Sequence, residues 1–504
     1  MAIYTELADD IERQIRRGVL RAGERLPSVR SLCTSRGISQ GTVMQAYYLL
    51  EDRGLVSTRP RSGYFVNATT RLPLPRPTMP TLEPEPPVDV MPANLLYTVL
   101  NGMKQRENVP LGSAFASPLL YPLPKLAQLL GTAARRLDPW RIVDDLPPGN
   151  PELRRHIARR YLELGADVDV GDIVITHGAS EALMLSLISA TQPGDVVAIE
   201  SPAHYNVLHT IESTGRRAVC IPTCPQDGMN LPALENALAA QKISAVWAMP
   251  TFQNPTGATM SDRGKQALVA LLARHGIPLI ENDVYGELYF DAERPTPAKT
   301  FDTQGGVLHC GSFSKSLAPG YRLGWVAGGR FHETVRQNKF LLSTNANVPA
   351  QAAIADYLKH GGHELHLRRL RATLRSQRDQ LLRAVARHFP PGTAVSRPLG
   401  GYMLWVQLPE GSVDTLELMR HALDEGVSLA PGALFSPNGR HVNELRLNFG
   451  HPWNAAMERG VETIGRLAAT LSPTPLLGPA HREGGHALVP LRPPPGVECS
   501  EERP

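Results

Sequence analysis

Long apolar runs and cysteine are the features that this sequence has least of. It contains no run of about 18 consecutive apolar residues, the length that a helix needs to cross a membrane. The first residues lead into an amphipathic charged segment instead of the apolar run of a secretion signal. We therefore expect a cytoplasmic protein.

The five cysteines are odd in number and scattered along the chain, at Cys33, Cys220, Cys224, Cys310 and Cys499. Reduced thiols are therefore expected in place of a disulfide framework. No second pair of cysteines or histidines accompanies Cys220 and Cys224 at zinc-finger spacing. We accordingly expect no metal site.

The length and the distribution of proline indicate several domains. At roughly 150 residues per domain, 504 residues predict two to four of them. The 45 prolines are enriched in residues 70–87 and 473–504, and proline both lacks an amide donor and favours extended backbone. These segments predict a semi-rigid linker at 68–93 and a disordered tail at 473–504.

Positive charge is concentrated near the start of the chain. The whole chain carries +4, but between Arg13 and Val66 ten arginines oppose three acids, so that 10 − 3 = +7 falls within one short segment. A dense positive charge of this kind attracts phosphate backbones. The segment is therefore a candidate nucleic-acid-binding region.

The same segment has the pattern of three helices and a hairpin. Ile3, Leu7, Ile11 and Ile15 recur every four residues and predict a first helix that ends near Gly18. Ser28 and Ser39 are suited to cap a second and a third helix, and Gly37 suits the left-handed turn between them. Residues 55–58 and 64–66 alternate as two short strands. A third helix with an exposed N-terminal end, followed by a basic hairpin, favours DNA binding.

These residues resemble the winged helix-turn-helix of the GntR superfamily. The resemblance rests on Leu26-Pro-Ser-Val-Arg30 before the second helix and on Arg59-Pro-Arg-Ser-Gly-Tyr-Phe-Val66 in the wing. It implies a DNA-binding domain over residues 1–67. The DNA contacts that it implies are Arg30, Ser39, Gln40, Thr42, Arg59, Arg61 and Gly63. Many relatives carry arginine where Gln40 stands, and glutamine pairs well with adenine, so a different operator preference is expected.

Two alternatives stay open for this domain. Ser39 and Thr42 could serve only to cap and pad the third helix. The whole module could also act as an adaptor between proteins, without binding DNA.

The central part of the chain alternates strands and helices. Buried-type strands are predicted at 172–176, 196–200, 217–221, 245–249 and 278–282. This alternation is typical of a doubly wound α/β domain whose sheet is mostly parallel. Helices are predicted within 331–339 and 365–388, and strands at 401–407 and 444–448 indicate a smaller α+β subdomain.

The segment from Gly311 to Arg322 carries the most specific chemistry in the chain. Its sequence, Gly-Ser-Phe-Ser-Lys-Ser-Leu-Ala-Pro-Gly-Tyr-Arg, suits pyridoxal 5′-phosphate (PLP). The amine of Lys315 can form a Schiff base with the cofactor aldehyde. Ser312 and Arg322 can hold its phosphate by charge-assisted hydrogen bonds.

Together with the polar residues that follow the predicted strands, this segment resembles the fold-type I, class I/II aminotransferases. The resemblance covers residues 94–472 and implies roles for matching residues. Asp283 would pair with the pyridine nitrogen, Tyr285 and Asn254 would bond the ring hydroxyl, and Tyr205 would lie against the ring. Ala179 and Ser180, at the start of a helix, would meet the phosphate. Arg446 would bind a substrate or effector carboxylate.

One segment departs from the aminotransferase pattern. Many such enzymes carry a tyrosine just before the turn that precedes Glu152, and from that position they reach the partner's phosphate. This chain has Asp144-Asp-Leu-Pro-Pro-Gly149 there. The departure leaves PLP binding intact in principle and puts efficient transamination in doubt.

A GntR-type domain joined by a linker to an aminotransferase-like domain resembles the MocR family of bacterial transcription regulators. The resemblance implies a homodimer that binds an operator and senses PLP, or an amine or amino acid, through an external aldimine at Lys315. Two alternatives stay open: a metabolic PLP-dependent aminotransferase that acts on an amino acid and a 2-oxo acid, and a DNA-binding protein whose body has lost PLP. The effector and the regulated genes are not encoded in any motif.

Overall fold

The structure is a computed structural model, and it describes residues 3–21, 23–52, 55–59, 63–66, 74–77, 107–360 and 362–471. The predicted tail at 473–504, most of the predicted linker and the candidate DNA contact Arg61 lie outside the described residues. Arg59 is described as part of a strand, without its side chain.

The N-terminal residues form the predicted winged helix-turn-helix. Its elements are α1 (Ile3–Arg16), α2 (Val29–Arg36), α3 (Gln40–Asp52), β1 (Val56–Arg59) and β2 (Gly63–Val66). The two strands pair antiparallel, with Val56 opposite Val66. Val43, Ala46 and Leu50 on α3 are fully buried and pack with the apolar stripe of α1. The four-residue apolar spacing of α1 therefore faces a core, as the pattern predicts.

The predicted caps are present at the starts of α2 and α3. The Ser28 hydroxyl accepts a hydrogen bond from the Ser31 amide at 3.1 Å, and the Ser39 hydroxyl accepts one from the Thr42 amide at 3.2 Å. Gly37 ends α2 with a φ of +66°, a conformation that glycine adopts without strain. The chain can therefore start α3 immediately after α2, which leaves the N-terminal end of α3 exposed.

The large domain is built on an eight-stranded sheet. Its strands are β3 (Ile173–Thr176), β4 (Val196–Ser201), β5 (Arg217–Cys224), β6 (Gly228–Met229), β7 (Ala245–Ala248), β8 (Leu279–Asn282), β9 (Val307–Ser312) and β10 (Gly324–Ala327). The order across the sheet is β3-β10-β9-β8-β7-β4-β5-β6. Pairs within the central run from β5 to β9 are parallel, whereas β10 and β6 run antiparallel to their neighbours. The doubly wound, mostly parallel sheet is confirmed.

Helices cover this sheet and support the smaller subdomain. They are α4 (Leu123–Arg135), α5 (Arg141–Asp144), α6 (Pro151–Glu163), α7 (Ala179–Ala190), α8 (Tyr205–Ser213), α9 (Leu231–Ala240), α10 (Asp262–His275), α11 (His332–Ser343), α12 (Val348–Lys359), α13 (Gly362–His388), α14 (Thr415–Asp424) and α15 (Ala455–Thr470). Within the described ranges, no helix is both long and apolar enough to span a bilayer.

The smaller subdomain has a four-stranded antiparallel sheet. Its strands are β11 (Ala394–Val395), β12 (Met403–Gln407), β13 (Ala430–Pro431) and β14 (Glu444–Asn448), in the order β11-β12-β14-β13. Trp405 and Arg446 are cross-strand partners at its centre. Helices α13, α14 and α15 pack on this sheet around one core, which confirms the predicted α+β subdomain.

A short piece of the predicted linker is attached to this subdomain. The Val395 amide donates to the Pro75 carbonyl at 2.9 Å, and the Arg397 guanidinium donates to the Leu74 carbonyl at 3.2 Å. The Leu74 side chain packs against the subdomain core. The linker therefore has a fixed point on the body at 74–77, only eight residues after the end of β2.

Candidate functional site

The candidate site lies where the parallel strands of the large sheet end. Asp283 follows β8, Asn254 lies in the loop that follows β7, and Lys315 lies three residues after β9. The carboxyl ends of parallel strands share one edge of a sheet, so these loops converge. Arg446 reaches the same place from the smaller subdomain and bonds Asn254.

Lys315 lies in a partly buried position among cations and aromatic rings. Its Nζ donates to the Ala114 carbonyl at 2.9 Å and lies 4.7 Å from the ring centre of Phe115. Burial, together with the nearby Arg446 and Arg322, lowers the pKa of Lys315 to about 7. A large fraction of the amine is therefore neutral near physiological pH and can act as a nucleophile.

Asp283 is a buried carboxylate with one oxygen free. Its Oδ2 accepts hydrogen bonds from Arg294 at 2.6 Å and from His309 at 3.2 Å. Burial alone would raise the pKa of Asp283, but Arg294 and His309 outweigh burial and lower it. Its Oδ1 is buried and has no hydrogen-bond partner among the described residues. Such an oxygen is suited to accept a hydrogen bond from a protonated ring nitrogen.

The loop between β3 and α7 forms the candidate phosphate site. Gly178 has a φ of +82°, and a Cβ placed there would lie 2.9 Å from the Arg322 guanidinium. Glycine therefore lets Arg322 approach the start of α7, where Ala179 and the exposed Ser180 present the helix N-terminus. Free amides at a helix start, together with a guanidinium, suit a phosphate.

The two serines before Lys315 have different partners. The Ser312 hydroxyl is buried, donates to the Leu323 carbonyl at 3.1 Å and accepts from the Ser314 amide at 3.1 Å. The Ser314 hydroxyl accepts from Arg322 at 3.4 Å. The role of Ser312 at the phosphate stays a prediction, whereas Ser314 is the serine whose hydroxyl lies beside the guanidinium.

Asn254 links the predicted ring-hydroxyl site to the predicted carboxylate site. Its amide nitrogen donates to the Tyr285 hydroxyl at 3.4 Å, and its oxygen accepts from Arg446 Nη1 at 3.1 Å. Arg446 is completely buried, and its Nε has no partner among the described residues. An unpartnered guanidinium N–H in a closed site fits a carboxylate oxygen.

A short segment of the chain itself lies against Lys315 and Arg446. Arg446 Nη2 donates to the carbonyls of Gly112 at 2.8 Å and Ser113 at 3.3 Å. With the bond from Lys315 to Ala114, three successive carbonyls occupy the donors assigned to cofactor and effector. Residues 112–115, which we call the strap, therefore take hydrogen bonds that a bound carboxylate would compete for.

Tyr205 lies partly buried at the start of α8, with its ring centre 4.1 Å from that of His204. His204 Nδ1 accepts from the Asn206 amide at 3.2 Å, so this nitrogen carries no proton. Burial, Arg446 and Lys315 all lower the pKa of His204, which keeps the ring neutral. His204 is thus an uncharged neighbour of Lys315 that sequence reasoning missed.

The loop that departs from the aminotransferase pattern has a structural role. Asp145 is fully buried and accepts from Asn150 Nδ2 at 3.2 Å. Asn150 Oδ1 in turn accepts from the Leu153 amide at 3.1 Å and caps α6. The loop therefore uses a carboxylate to hold a helix cap, and Asp144 beside it is exposed.

Other buried or partly buried polar residues next to the site carry no local motif. They belong to the networks around Asp283 and around the phosphate loop, and they are Tyr161, Glu181, Glu287, Arg294, His309, Trp325 and Lys339. Single histidines, arginines and tyrosines on helices or strands have many ordinary roles, so no sequence signal distinguishes these residues.

The candidate DNA surface lies at the start of α3. Gln40 and Arg30 are exposed, and Ser39 and Thr42 bond one another through their hydroxyls at 2.8 Å. Gly63 begins β2 with a φ of +96°, and the Arg25 guanidinium covers it. The assignment of DNA contacts to these residues stays a prediction, and Ser39 also serves as a helix cap.

The residues at the carboxyl edge of the sheet fit PLP. They provide a nucleophilic lysine, a buried carboxylate with a free oxygen, and a guanidinium beside a glycine-opened helix start. Each of these groups suits a different part of the cofactor: aldehyde, ring nitrogen and phosphate. The fold and the site thus define the class of PLP-dependent proteins with the class I and II aminotransferase fold.

Comparison with known proteins extends this to the whole chain. Residues 146–464 match the family described as aminotransferase class I and II, and residues 3–66 match the bacterial regulatory proteins of the gntR family. The uncharacterized HTH-type transcriptional regulators YdcR and YjiR of Escherichia coli K12 are 39% and 36% identical. The alignment with YdcR covers 93% of this chain and 99% of YdcR, and that with YjiR covers 92% and 98%.

A solved structure of α-aminoadipate aminotransferase LysN from Thermus thermophilus, complexed with N-(5′-phosphopyridoxyl)-L-leucine, is also similar. Its TM-score is 0.68 at 26% identity, over 74% of this chain and 94% of LysN. The chain therefore belongs to the MocR type of regulator, in which a gntR-family helix-turn-helix is fused to a class I and II aminotransferase domain.

Proposed function

We propose that this protein is a transcription regulator that binds an operator through its winged helix and senses a carboxylate-bearing amine at its PLP site. The observation that carries the proposal is that one chain combines an arginine-rich winged helix, whose third helix has an exposed start, with a PLP site whose donors are held by the chain's own strap. A metabolic enzyme would need the PLP site but not the winged helix.

The winged helix supplies both affinity and selectivity for DNA. The arginines between Arg13 and Val66 provide the charge of +7 that attracts the phosphate backbone. Gln40 and Thr42, at the exposed start of α3, provide amide and hydroxyl groups that can read base edges in a major groove. Arg30 contacts phosphate in this proposal, because it is an exposed arginine in the first turn of α2.

The effector site is formed by Lys315 and Arg446. Bound PLP supplies an electrophilic carbon that reacts reversibly with amines and a ring that withdraws electrons. Arg446 selects amines that also carry a carboxylate, since its unpartnered Nε can donate to one. Lys315 holds the cofactor in the resting state, and as a neutral amine it can also accept a proton.

The strap provides a physical route from effector to the rest of the molecule. A carboxylate that binds Arg446 as a bidentate fork, through Nε and Nη2, competes for Nη2 with the carbonyls of Gly112 and Ser113. Asn448 also donates to the carbonyls of Ser113 and Phe115, at 2.8 Å each, so the strap is attached to β14, the strand that carries Arg446. The differential contacts that allostery requires are therefore available at the site.

Electrophoretic mobility shifts with DNA from upstream of the protein's own gene test this proposal. We expect a specific shift at moderate salt, and we expect PLP with an amino acid from a panel to change the apparent affinity. The loss of specific binding, combined with the turnover of amino acids at enzyme rates, would refute the regulator proposal.

A second candidate function is that of a metabolic aminotransferase. It is favoured by the completeness of the site, in which Lys315, Asp283 and Arg446 all occupy suitable positions. Steady-state assays with amino acid and 2-oxo acid pairs distinguish the two functions. We expect at most slow transamination, because the loop at Asp144–Gly149 lacks a tyrosine.

We further propose that the protein acts as a homodimer in the cytoplasm, with paired aminotransferase-like bodies. A dimer would present two winged helices to two half-sites on the operator, which increases affinity without new contacts. Sedimentation of the holoprotein, alone and with an operator fragment, measures the stoichiometry.

A further inference from the structure

The two oxygens of the Asp283 carboxylate have different environments. Both hydrogen bonds that the protein supplies go to Oδ2, and Oδ1 is left without a partner among the described residues. The Asp283 side chain is 2% exposed, and Arg294 is 14% exposed, so this ion pair is largely removed from water. Electrostatic interactions at such a site are screened less than at the surface.

The hydrogen-bond directions around His309 can be assigned from donors and acceptors. Trp325 Nε1 can only donate, and it donates to the Tyr161 hydroxyl at 2.9 Å. Burial raises the pKa of Tyr161 well above 10, so this hydroxyl keeps its proton and directs it at His309 Nδ1, 2.6 Å away. His309 Nε2 therefore carries the ring proton and donates it to Asp283.

Arg294 is the arginine in direct contact with Asp283, through Nη2 at 2.6 Å. Its Nη1 also lies 3.4 Å from Glu287, which in turn pairs with Arg160 and Arg371. Burial would raise the pKa of Glu287, but Arg294 and Arg160 outweigh it and hold that pKa well below its ordinary value.

The remaining groups near Asp283 do not replace this cation. Lys265 acts on Asp283 from a greater distance, since its Nζ bonds Thr251 at 2.8 Å and the Thr296 carbonyl. Glu281 is an anion on β8, two residues before Asp283, and it accepts hydrogen bonds from the backbone amides of Ala298 and Lys299.

Gly286 makes room for the ion pair. A Cβ placed at Gly286 would lie 2.5 Å from both oxygens of Asp283 and 2.6 Å from Arg294 Nη2. Real Cβ atoms essentially never approach so closely, so a side chain at this position would displace the carboxylate or the guanidinium. The local sequence thus permits a close Asp283–Arg294 pair.

We propose that Arg294 is a positioning residue that weakens Asp283 as the partner of the cofactor's ring nitrogen and so favours reversible amine binding over removal of the Cα proton. The guanidinium offsets the carboxylate charge that would otherwise keep the ring nitrogen protonated. A less protonated ring withdraws fewer electrons from the Cα–H bond. This inference deepens the proposed function, and it rests on that function only in requiring PLP at Lys315.

The test uses the full-length holoprotein loaded with PLP that carries ¹⁵N in its ring. The ¹⁵N chemical shift reports the protonation of the ring nitrogen as a function of pH. For Arg294→Met we expect the midpoint to rise by about one pH unit, a tenfold change in proton affinity. Arg294→Lys keeps the positive charge, so its midpoint should stay close to that of the wild type.

Arg371→Met is the matched control, because it removes another arginine from Glu287 without touching Asp283. We expect no shift of the ring-nitrogen midpoint in this variant. If Arg294→Met fails to fold because Glu287 loses a cation, the double variant Arg294→Met/Glu287→Gln removes the unpaired carboxylate as well. An unchanged or lowered midpoint in the folded variant overturns the proposal.

Exchange of the α-proton of glycine in D₂O, followed by proton NMR, tests the chemical consequence. We expect it to be about tenfold faster with Arg294→Met than with the wild type, in line with the expected midpoint shift. A shifted midpoint with unchanged exchange refutes the link between Arg294 and reactivity. Operator binding is measured in parallel and should be unaffected, so failure of this inference is distinguishable from failure of the regulator proposal.

Discussion

At the scale of single residues, the environment of Lys315 controls when the cofactor can be bound. The amine must be neutral to attack an aldehyde, and its neighbours lower its pKa to about 7. The same residue in a solvated position would be almost fully protonated at that pH. Burial and two arginines therefore convert an ordinary lysine into a nucleophile.

The rate of PLP uptake by the apoprotein should rise with pH through about 7 and then level off. Stopped-flow absorbance measures this rate. In Arg446→Met the midpoint should move to higher pH, because that cation is the second largest cause of the lowered pKa of Lys315 after burial. The ratio of variant to wild type cancels the titration of free PLP. The distant Arg330→Met serves as the control, and identical profiles for all three proteins would contradict the assignment.

Glu200 should make the stability of the fold depend on pH. Burial raises its pKa to about 8, and its Oε1 is buried without a partner among the described residues. The folded state thus holds this proton more tightly than the unfolded chain. The stabilisation is full at pH values below about 4.5, the ordinary pKa of a glutamate, and is lost as pH rises through about 8.

Glu200→Gln should remove this loss of stability with rising pH. For one proton, the free energy of unfolding of the wild type changes by up to about 1.4 kcal/mol per pH unit. Urea unfolding of both proteins between these two pKa values measures the difference. Glu235→Gln provides a control, because that carboxylate is 63% exposed. If the free energies of unfolding of wild type and Glu200→Gln changed in parallel with pH, the ionisation of Glu200 would not destabilise the folded state.

At the scale of elements, the start of α3 carries the sequence preference in our proposal. Gln40→Ala should reduce operator affinity by about 1 to 3 kcal/mol, the range for a lost base contact, and should leave binding to scrambled DNA nearly unchanged. Fluorescence anisotropy with both DNA fragments measures this. An equal loss of affinity for both DNA fragments would indicate that Gln40 contacts the DNA backbone instead of a base.

The linker contact at 74–77 is a second feature at this scale. Leu74→Asp places a charge against the subdomain core and should release the segment, so a broad-specificity protease should cut faster between the winged helix and the body. PLP absorbance should be retained, since the contact lies on β11 and not at Lys315. Leu74→Met keeps an apolar side chain and is the control. Equal cleavage of both variants would exclude an anchoring role for Leu74.

Sequence patterns predicted the elements well and the contacts of the site less completely. The strand before Asp283 is predicted, because a buried run flanked by loop residues is a local signal. The strands on either side of Lys315, β9 and β10, are not among the predicted ones. The motif also located Lys315 and Arg322. It did not indicate that Ser314 lies beside Arg322 or that Arg294 bonds Asp283, because each contact depends on how two loops converge.

At the scale of the whole molecule, the concentration of charge in the winged helix predicts strong salt dependence of DNA binding. The affinity should fall linearly with salt on logarithmic axes, because bound arginines displace counterions. Arg30→Ala should reduce the slope by about 1 if Arg30 contacts phosphate. Anisotropy titrations at several salt concentrations measure the slope, and an unchanged slope would remove Arg30 from the interface.

The sequence by itself determined the class of the protein and most of its chemistry. The winged helix, the mostly parallel sheet and the lysine predicted to bind PLP all depend on residues close together in the chain, where periodicity and spacing carry the information. Only the tertiary structure decided how those residues are tuned. Lys315 donates a hydrogen bond to the strap residue Ala114, which lies 201 positions earlier in the sequence. Asp283 accepts hydrogen bonds from Arg294 and His309. Such contacts depend on the packing of two subdomains and several loops, which no local pattern encodes.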